Sequence, residues 1–370
     1  MQSTIILVGA GHAHLYVAAR AQGLIELGAR VALIDPGTFW YSGLATGMLG
    51  GMYTAEQDQL DPKSLIESNG GEFIADRVTA IEASSQRLSL ASGDRLKYDY
   101  LSLNVGSQVN AAAIDGIQDD PSVWSVKPVS NLWRLREHLE TRFRAGEVPR
   151  VAVVGGGPTG SEVAANLVAL GTQHHTQLPV TLVTHSERLI KQAPEGAATK
   201  LFRNLTGRGV DVQLNTGISR REKNTLVAED GRRLAADIVV LAIGLEANPL
   251  VSQTGLPVHK QEGLRVTPTL QSVADPRVFA AGDCASMDGL NLPKLGVFGV
   301  RQAEYIYQNL GACLQGNTLQ EYRPQKHYLA ILNLGDSSAI ATCGPFWWHG
   351  RSSMWLKDTI DKKFMQGYRN

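Results

Sequence analysis

Val151-Ala152-Val153-Val154-Gly155-Gly156-Gly157-Pro158-Thr159-Gly160 is the stretch on which the fold turns. An apolar, mostly β-branched run ends in glycines, and the helix-favouring Ser161-Glu162-Val163-Ala164-Ala165-Asn166-Leu167 follows at once. A strand that passes through G-x-G-x-x-G into a helix makes a seat for a dinucleotide. The first glycine permits the tight turn, the second lets a pyrophosphate approach the backbone, and the third lets helix and strand pack closely. The helix N-terminus adds N–H donors and a positive dipole end.

The same event occurs earlier. Ile5-Ile6-Leu7-Val8 leads into Gly9-Ala10-Gly11-His12-Ala13-His14, with His14 where the third glycine is expected. Asp35 closes the next apolar run and lies 24 residues past Gly11, the spacing of an acid that holds ribose hydroxyls. The plainer alternative for Asp35 is a strand-end turn residue. Continuous apolar runs at Val31 to Ile34, Val180 to Val183 and Ile238 to Leu241 suit parallel strands covered on both faces. The expected fold class is α/β, with two doubly wound Rossmann-like dinucleotide-binding domains and a small C-terminal segment.

Bulk composition narrows the function. A chain of 370 residues suggests two or three domains, and 43% hydrophobic with 19% charged residues is a globular balance. Lys plus Arg and Asp plus Glu are equal at 35 each, so no net charge draws the chain to nucleic acid. Met1-Gln2-Ser3-Thr4 enters the first strand without a charged, cleavable leader. No apolar run approaches the roughly 18 residues of a membrane span. A cytoplasmic protein is expected, either soluble or peripheral on the inner face of a membrane. Cys284, Cys313 and Cys343 have neither C-x-x-C nor C-x-x-x-x-C spacing, and His174-His175 reads as a loop pair. No metal site and no disulfide framework are expected.

One further segment separates the two seats. Thr267-Pro268-Thr269-Leu270 and then Val278-Phe279-Ala280-Ala281-Gly282-Asp283 form a short strand ending in Gly-Asp. A carboxylate at a strand's carboxyl end faces the ligand crevice of a doubly wound sheet. This segment resembles the second FAD signature of two-dinucleotide flavoproteins. Tyr98-Asp99-Tyr100-Leu101-Ser102-Leu103-Asn104-Val105-Gly106-Ser107 resembles their connection between FAD and NAD domains. Asp237 to Gly244, with Asn248-Pro249, resembles the return.

The whole pattern resembles the FAD-dependent pyridine nucleotide oxidoreductases, on the branch of type II NADH dehydrogenases and apoptosis-inducing-factor-like proteins. It is similar above all to the flavoprotein that some organisms fuse in front of selenophosphate synthase. That similarity is carried by Gly11-His12-Ala13-His14, Tyr41-Ser42-Gly43, Pro293 to Gln302, Leu332-Asn333-Leu334-Gly335-Asp336 and Trp355 to Met365. The resemblance implies an FAD domain at 1–112 and 265–320, an NAD(P) domain inserted at 113–264, and a C-terminal segment at 321–370. It implies FAD at Gly9, Ala10, Gly11, His12, Ala13, His14, Asp35, Val78, Gly106, Gly282, Asp283, Lys294 and Val297. NADH or NADPH, as co-substrate, would meet Gly155, Gly157, Pro158, Thr159, Gly160, Glu162, Thr184, Arg188 and Gly244.

Implied catalytic roles fall to Glu162, on the nicotinamide side, and to Lys294, a cation near the flavin pyrimidine that would favour the reduced cofactor. Hydride would pass from nicotinamide to flavin and on to a small-molecule acceptor, a quinone first of all. A soluble reductase of a small oxidant in selenium metabolism and a redox-sensing flavoprotein module are the alternatives. A homodimer is compatible with the pattern.

Three departures qualify the resemblance. Tyr41 to Gly51 holds no cysteine pair of the disulfide-reductase kind. Val297 and Arg301 stand where quinone-reducing relatives carry two glutamines. Thr184-His185-Ser186-Glu187-Arg188 closes its strand without an acid, so His185 or Arg188 is expected to face a 2′-phosphate, which leans toward NADPH. Finally, Leu356, Ile360 and Phe364 recur at helical spacing beside Trp355, Thr359 and Met365, with Lys357, Lys362 and Lys363 among polar neighbours. Such an amphipathic basic helix lies on a membrane surface or docks on the protein's own core.

Overall fold

The computed structural model describes residues 2–259, 261–290 and 292–369. The first unit opens with β1 (Ser3–Val8), α1 (His12–Ala18), β2 (Ala29–Ile34), α2 (Ala45–Leu49), β3 (Glu72–Ile74) and β4 (Tyr100–Leu103). The second contains β5 (Val123–Ser125), β6 (Val151–Val154), α3 (Pro158–Gln173), β7 (Val180–Val183), β8 (Asp211–Gln213) and β9 (Ile238–Leu241). The chain then returns with β10 (Val278–Ala280) and α4 (Gly296–Gln315).

The two main sheets repeat one topology. Strand order is β10-β4-β1-β2-β3 in the first and β5-β9-β6-β7-β8 in the second. Every pairing in both is parallel. The order reverses at β1 and at β6, so a ligand crevice opens beyond the carboxyl end of each. Ile5 to Val8 and Val151 to Val154 are buried without alternation, because each sheet is covered on both faces. Each of these Ile, Leu and Val side chains contributes about 1.5–3 kcal/mol by leaving water.

One short ladder joins the units: Ser107–Val109 pairs antiparallel with Leu245–Ala247 where the chain crosses between them. A second follows it, in which Gly263–Val266 pairs with Ala285–Met287 and with Val258–His259.

The C-terminal segment is an antiparallel meander of β11 (Leu329–Asn333), β12 (Ala339–Cys343) and β13 (Phe346–Gly350), followed by α5 (Arg351–Gln366). Here the basic-helix reading needs correction. Lys357 is only 8% exposed, pairs with Asp361 at 2.7 Å and donates to the Gly43 carbonyl at 2.6 Å. Phe364 stacks on Tyr41 at 4.6 Å, and Tyr41 donates its hydroxyl to Asp361 at 2.9 Å. Tyr53 donates to Asp358 at 3.0 Å. One face of α5 is thus docked on the loop 41–53, with a desolvated ion pair at its centre. Trp355 (69% exposed) and Ile360 (44%) remain on the outer face. Among the described residues no helix is long and apolar enough to cross a membrane.

Candidate functional site

The first crevice is built around Asn104, a residue that the sequence reading passed over. Its Oδ1 accepts from the N–H of Ala13 at 2.9 Å and of His14 at 3.4 Å, and its Nδ2 donates to the Ala281 carbonyl at 2.6 Å. One side chain therefore ties the β1 turn to the strand leading to Asp283. Gly9 has φ +85°, and a Cβ there would meet the Asn104 carbonyl oxygen at 2.8 Å. A Cβ on Gly11 would overlap the Asn104 amide. His14, in place of the third glycine, is buried between the Gly9 carbonyl (Nδ1, 2.6 Å) and the Ser102 hydroxyl (Nε2, 2.8 Å). Since a carbonyl only accepts, Nδ1 carries the proton. Burial lowers the His14 pKa to about 4, so the ring is neutral at physiological pH. The signal in the sequence was the departure at His14, which stands at a glycine place.

Asp35 accepts from the N–H of Ala10 at 2.7 Å and of Gly37 at 2.9 Å. Burial raises its pKa, while those two N–H groups and Arg77 oppose the rise. Arg77 precedes Val78, which lies buried at the start of Val78–Glu82. Asp283 lies in the Gly282–Cys284 turn that follows β10 at its carboxyl end. Ser107 donates to it at 2.6 Å from the first unit, and Lys127 pairs with it at 3.4 Å from the second. Gln302 fastens the same turn by accepting from the Gly282 N–H at 2.7 Å. Lys127 and Gln302 were not foreseen as site residues. Lys294 does lie beside Asp283, but its ammonium donates to the carbonyls of Glu262 (2.6 Å) and Asp283 (2.5 Å). Burial lowers its pKa. It braces the turn with two of its three N–H donors.

His12 faces Phe39, Tyr41 and Phe364 with ring centroids 5.3–5.7 Å away, and the N-terminus of α4 at Gly296 adjoins it. Burial first, then Lys127, lowers its pKa to about 4, with Asp283 opposing. Val297 follows in the first turn of α4, half-buried, whereas Arg301 is exposed.

The second crevice follows the glycine argument closely. Gly155 has φ +123°, and a Cβ on Gly160 would collide with the Gly155 carbonyl oxygen. Gly157 faces open space, Pro158 and Thr159 begin α3, and no side chain caps that helix. A cleft of about 350 Å³ opens here, lined by Gly155, Thr184, His185, Gly217, Glu229, Gly244 and Glu246 among others. Arg188 is turned away: its guanidinium donates to the carbonyls of Lys191 (2.5 Å) and Ala193 (3.3 Å) in its own loop. Of the two residues expected at a 2′-phosphate, only His185 reaches the cleft. Glu229, in the turn after the strand Thr225–Ala228, and Glu246, in Leu245–Ala247, complete the lining, which no local motif could announce.

Glu162 sits where all the parts meet. Its Oε1 accepts from the Asn333 N–H at 2.6 Å and lies 3.5 Å from the Thr46 hydroxyl of α2. Burial raises its pKa; Lys357 opposes that rise and Asp361 adds to it. Beneath α5, Asp58 is fully buried with both carboxyl oxygens unpartnered, and its pKa rises to about 8. No cysteine joins any of this. Cys284 is buried with its thiol pKa pushed up to about 11, and all three thiols are free.

Comparison with known proteins agrees with this geometry. The type II NADH:quinone oxidoreductase of Haemophilus influenzae is 29% identical over 261 residues, covering 62% of this chain and 59% of that protein. The chain thus spans about three-fifths of that relative's length. The alternative NAD(P)H-ubiquinone oxidoreductase C1 of Arabidopsis thaliana is 23% identical over 91% of this chain and 71% of its own. Among solved structures, NDH2 of Plasmodium falciparum in complex with NADH superposes with a TM-score of 0.83 at 15% identity, covering 100% of this chain and 95% of that one. That likeness shows the shared fold of two Rossmann-like units. The family model described as pyridine nucleotide-disulphide oxidoreductase matches residues 3–304, which span both crevices, and the chain belongs to that family.

Proposed function

We propose that the chain is an FAD-dependent NAD(P)H oxidoreductase whose acceptor is a quinone. The observation that carries the reading is the pair of glycine turns at the switch points of two sheets with one strand order. The residues fit both dinucleotides. Gly106, Gly157 and Gly244 border open space where a Cβ would meet nothing within 4 Å. Asp283 offers a fixed carboxylate, and Asp35 another.

FAD, when bound, supplies the hydride acceptance and onward electron release for which no side chain here is suited. The chain's own residues bind and orient. The Gly9–His14 turn and Asp35 would hold the adenosine diphosphate of FAD, and Asp283, steadied by Ser107 and Lys127, its ribityl hydroxyls. The Gly155–Gly160 turn and the start of α3 would hold the NAD(P)H pyrophosphate. Glu162 would accept the nicotinamide amide N–H. The docked α5 and the Tyr41–Phe364 stack exclude water from the joint.

Membrane contact belongs to the same reading, with a different footprint from the one first expected. Trp355, Ile360 and Phe346, Trp347 and Trp348 of β13 are exposed large apolar side chains of the C-terminal segment, and Lys362 and Lys363 share α5 with the first two. A second reading, a reductase of a small polar oxidant in selenium metabolism, is favoured by one observation: exposed Arg301 and Val297 occupy the glutamine places. The test is direct. Purified protein should be yellow with releasable FAD, anaerobic NADH should bleach it, and a panel of quinones and selenium oxyanions should show which one restores the colour. A colourless protein that refuses FAD would end both readings.

A further inference from the structure

We propose that Asn333, in the C-terminal segment, is a positioning residue for Glu162, and that the Leu332–Asp336 loop is thereby part of the nucleotide-oxidising site. The inference rests on the reading of Glu162 as the acid at the nicotinamide.

Asn333 is fully buried, and each of its polar groups is engaged. Its N–H donates to Glu162 Oε1 at 2.6 Å, and its carbonyl accepts from Asn166 Nδ2 at 3.2 Å. Its own Nδ2 lies 3.5 Å from Asn166 Oδ1, and its Oδ1 accepts from the Gly335 N–H at 2.8 Å. Asn166 lies one turn beyond Glu162 on α3 and donates to the Glu162 carbonyl at 2.8 Å. The two asparagines form a clasp that fixes both the backbone and the carboxylate of Glu162.

The loop is pressed flat on α3 to allow this. Gly335 has φ +68°, and a Cβ there would meet Ala169 Cβ at 2.9 Å and the Ala165 carbonyl at 3.0 Å. Arg208 donates to the Leu334 and Ala165 carbonyls, and Asn204 donates to Asp336 at 2.9 Å.

Packing alone would be served by apolar side chains, since burying two amides costs free energy unless every bond is made. What the clasp adds is specific to Glu162. Burial pushes that carboxyl toward its neutral form, and an N–H donor aimed at Oε1 favours the carboxylate. The groups that face Glu162 are Thr46 from α2, Asn333 from β11, and Lys357 and Asp361 from α5. Lys357, Asn333 and Thr46 favour the charge and Asp361 disfavours it, and the Asn333 N–H makes the shorter of the two hydrogen bonds to Oε1, at 2.6 Å against 3.5 Å from Thr46. A carboxylate so held accepts an amide N–H with either oxygen, whereas a protonated one turns one of its oxygens into a donor.

The experiment uses the full chain loaded with FAD and the variants Asn333→Leu, Asn333→Ser and Glu162→Gln. Stopped-flow bleaching by NADH is followed against pH, and the Glu162 carboxyl stretch is titrated by difference infrared spectroscopy without nucleotide. In wild type the acid limb of bleaching should coincide with the infrared titration. Asn333→Leu should move both upward by about one pH unit and raise KM more than it lowers kcat. Both variants keep the main-chain donor and act through the side-chain bonds that hold it in place, so Asn333→Ser, whose short hydroxyl can still accept from the Gly335 N–H, should move them less. In the Glu162→Gln background the limb should be absent and Asn333→Leu should add nothing. An unmoved infrared titration in either Asn333 variant would overturn the proposal, as would an equal loss of bleaching in the Glu162→Gln background. If Asn333→Leu fails to fold, Asn333→Ser decides alone. A wild type that NADH never bleaches would sink the oxidoreductase reading instead, and the infrared titration would still report on Asn333.

Discussion

The two glycine turns occupy equivalent places in equivalent sheets, yet they are built differently. The second keeps all three glycines, leaves the N-terminus of α3 without a side-chain cap, and opens on a cleft of about 350 Å³. The first replaces the third glycine by buried His14 and hands two N–H groups of α1 to Asn104. One seat is an open cradle of backbone. The other is knit into the core by polar side chains. That contrast matches the proposed division of labour: a co-substrate must enter and leave every turnover, whereas a resident cofactor benefits from a seat that does not relax when empty. Close packing of helix on strand therefore need not be done by glycine. A buried side chain with both ring nitrogens engaged does it too, at the cost of tolerance to change.

The contrast is broken most severely at Gly160. Gly160→Val should weaken NADH use by roughly 100-fold or more, an effect of about 3 kcal/mol, because the side chain must displace the Gly155 carbonyl. FAD content should be unchanged, and kinetics beside the flavin absorbance checks both. Loss of FAD with NADH affinity intact would reverse the two seats.

Next in size is the first turn. His14→Gly restores the three-glycine pattern, yet it should lower stability by about 2–3 kcal/mol, since it leaves a cavity and an unpartnered Ser102 hydroxyl. Asn104→Ala should cost about 2 kcal/mol by orphaning the Ala13 N–H and leaving the Ala281 carbonyl only the weak Cys284 thiol as donor. Denaturant unfolding of FAD-loaded protein measures both. A His14→Gly protein as stable as wild type would show that the histidine is incidental.

The turns should also differ in acid. The folded-state pKa values of His12 and His14 are lowered to about 4, below the ordinary 6.5. The unfolded chain thus takes up protons first, and stability is lost as pH falls from 6.5 toward 4, by about 3 kcal/mol for each ring. His14→Gln should flatten part of that slope. Asp58 acts in the opposite sense. Its folded pKa is raised to about 8, so its contribution is full below the ordinary carboxylate range and is lost as pH rises through 8. Asp58→Asn should raise the melting temperature at pH 8 and leave it nearly unchanged at pH 4. Melting curves across pH separate the two groups.

The smallest effect concerns the thiols. Replacing Cys284, Cys313 and Cys343 together by alanine should leave NADH bleaching within about twofold, because none is paired and Cys284 is held as a neutral thiol. Loss of bleaching in a folded, yellow triple variant would expose a missed redox thiol.

Much of this protein was determined by sequence alone. The continuous apolar runs, the duplicated glycine turns and the strand-end Gly282-Asp283 are local patterns, set by backbone conformation and by burial on both faces of a strand. They identified the duplicated α/β fold and the residues of both turns. Tertiary structure decided the rest. Whether Lys357 is a surface charge or half of a buried ion pair depends on what covers one face of α5, and a helical stripe says only which face is apolar. Whether Arg188 meets a ligand depends on which loop carbonyls need a donor. Lys127 reaches Asp283, and Asn333 reaches Glu162, across 156 and 171 residues. Such partners are chosen by the packing of whole units against one another, for which a chain read in order carries no local mark.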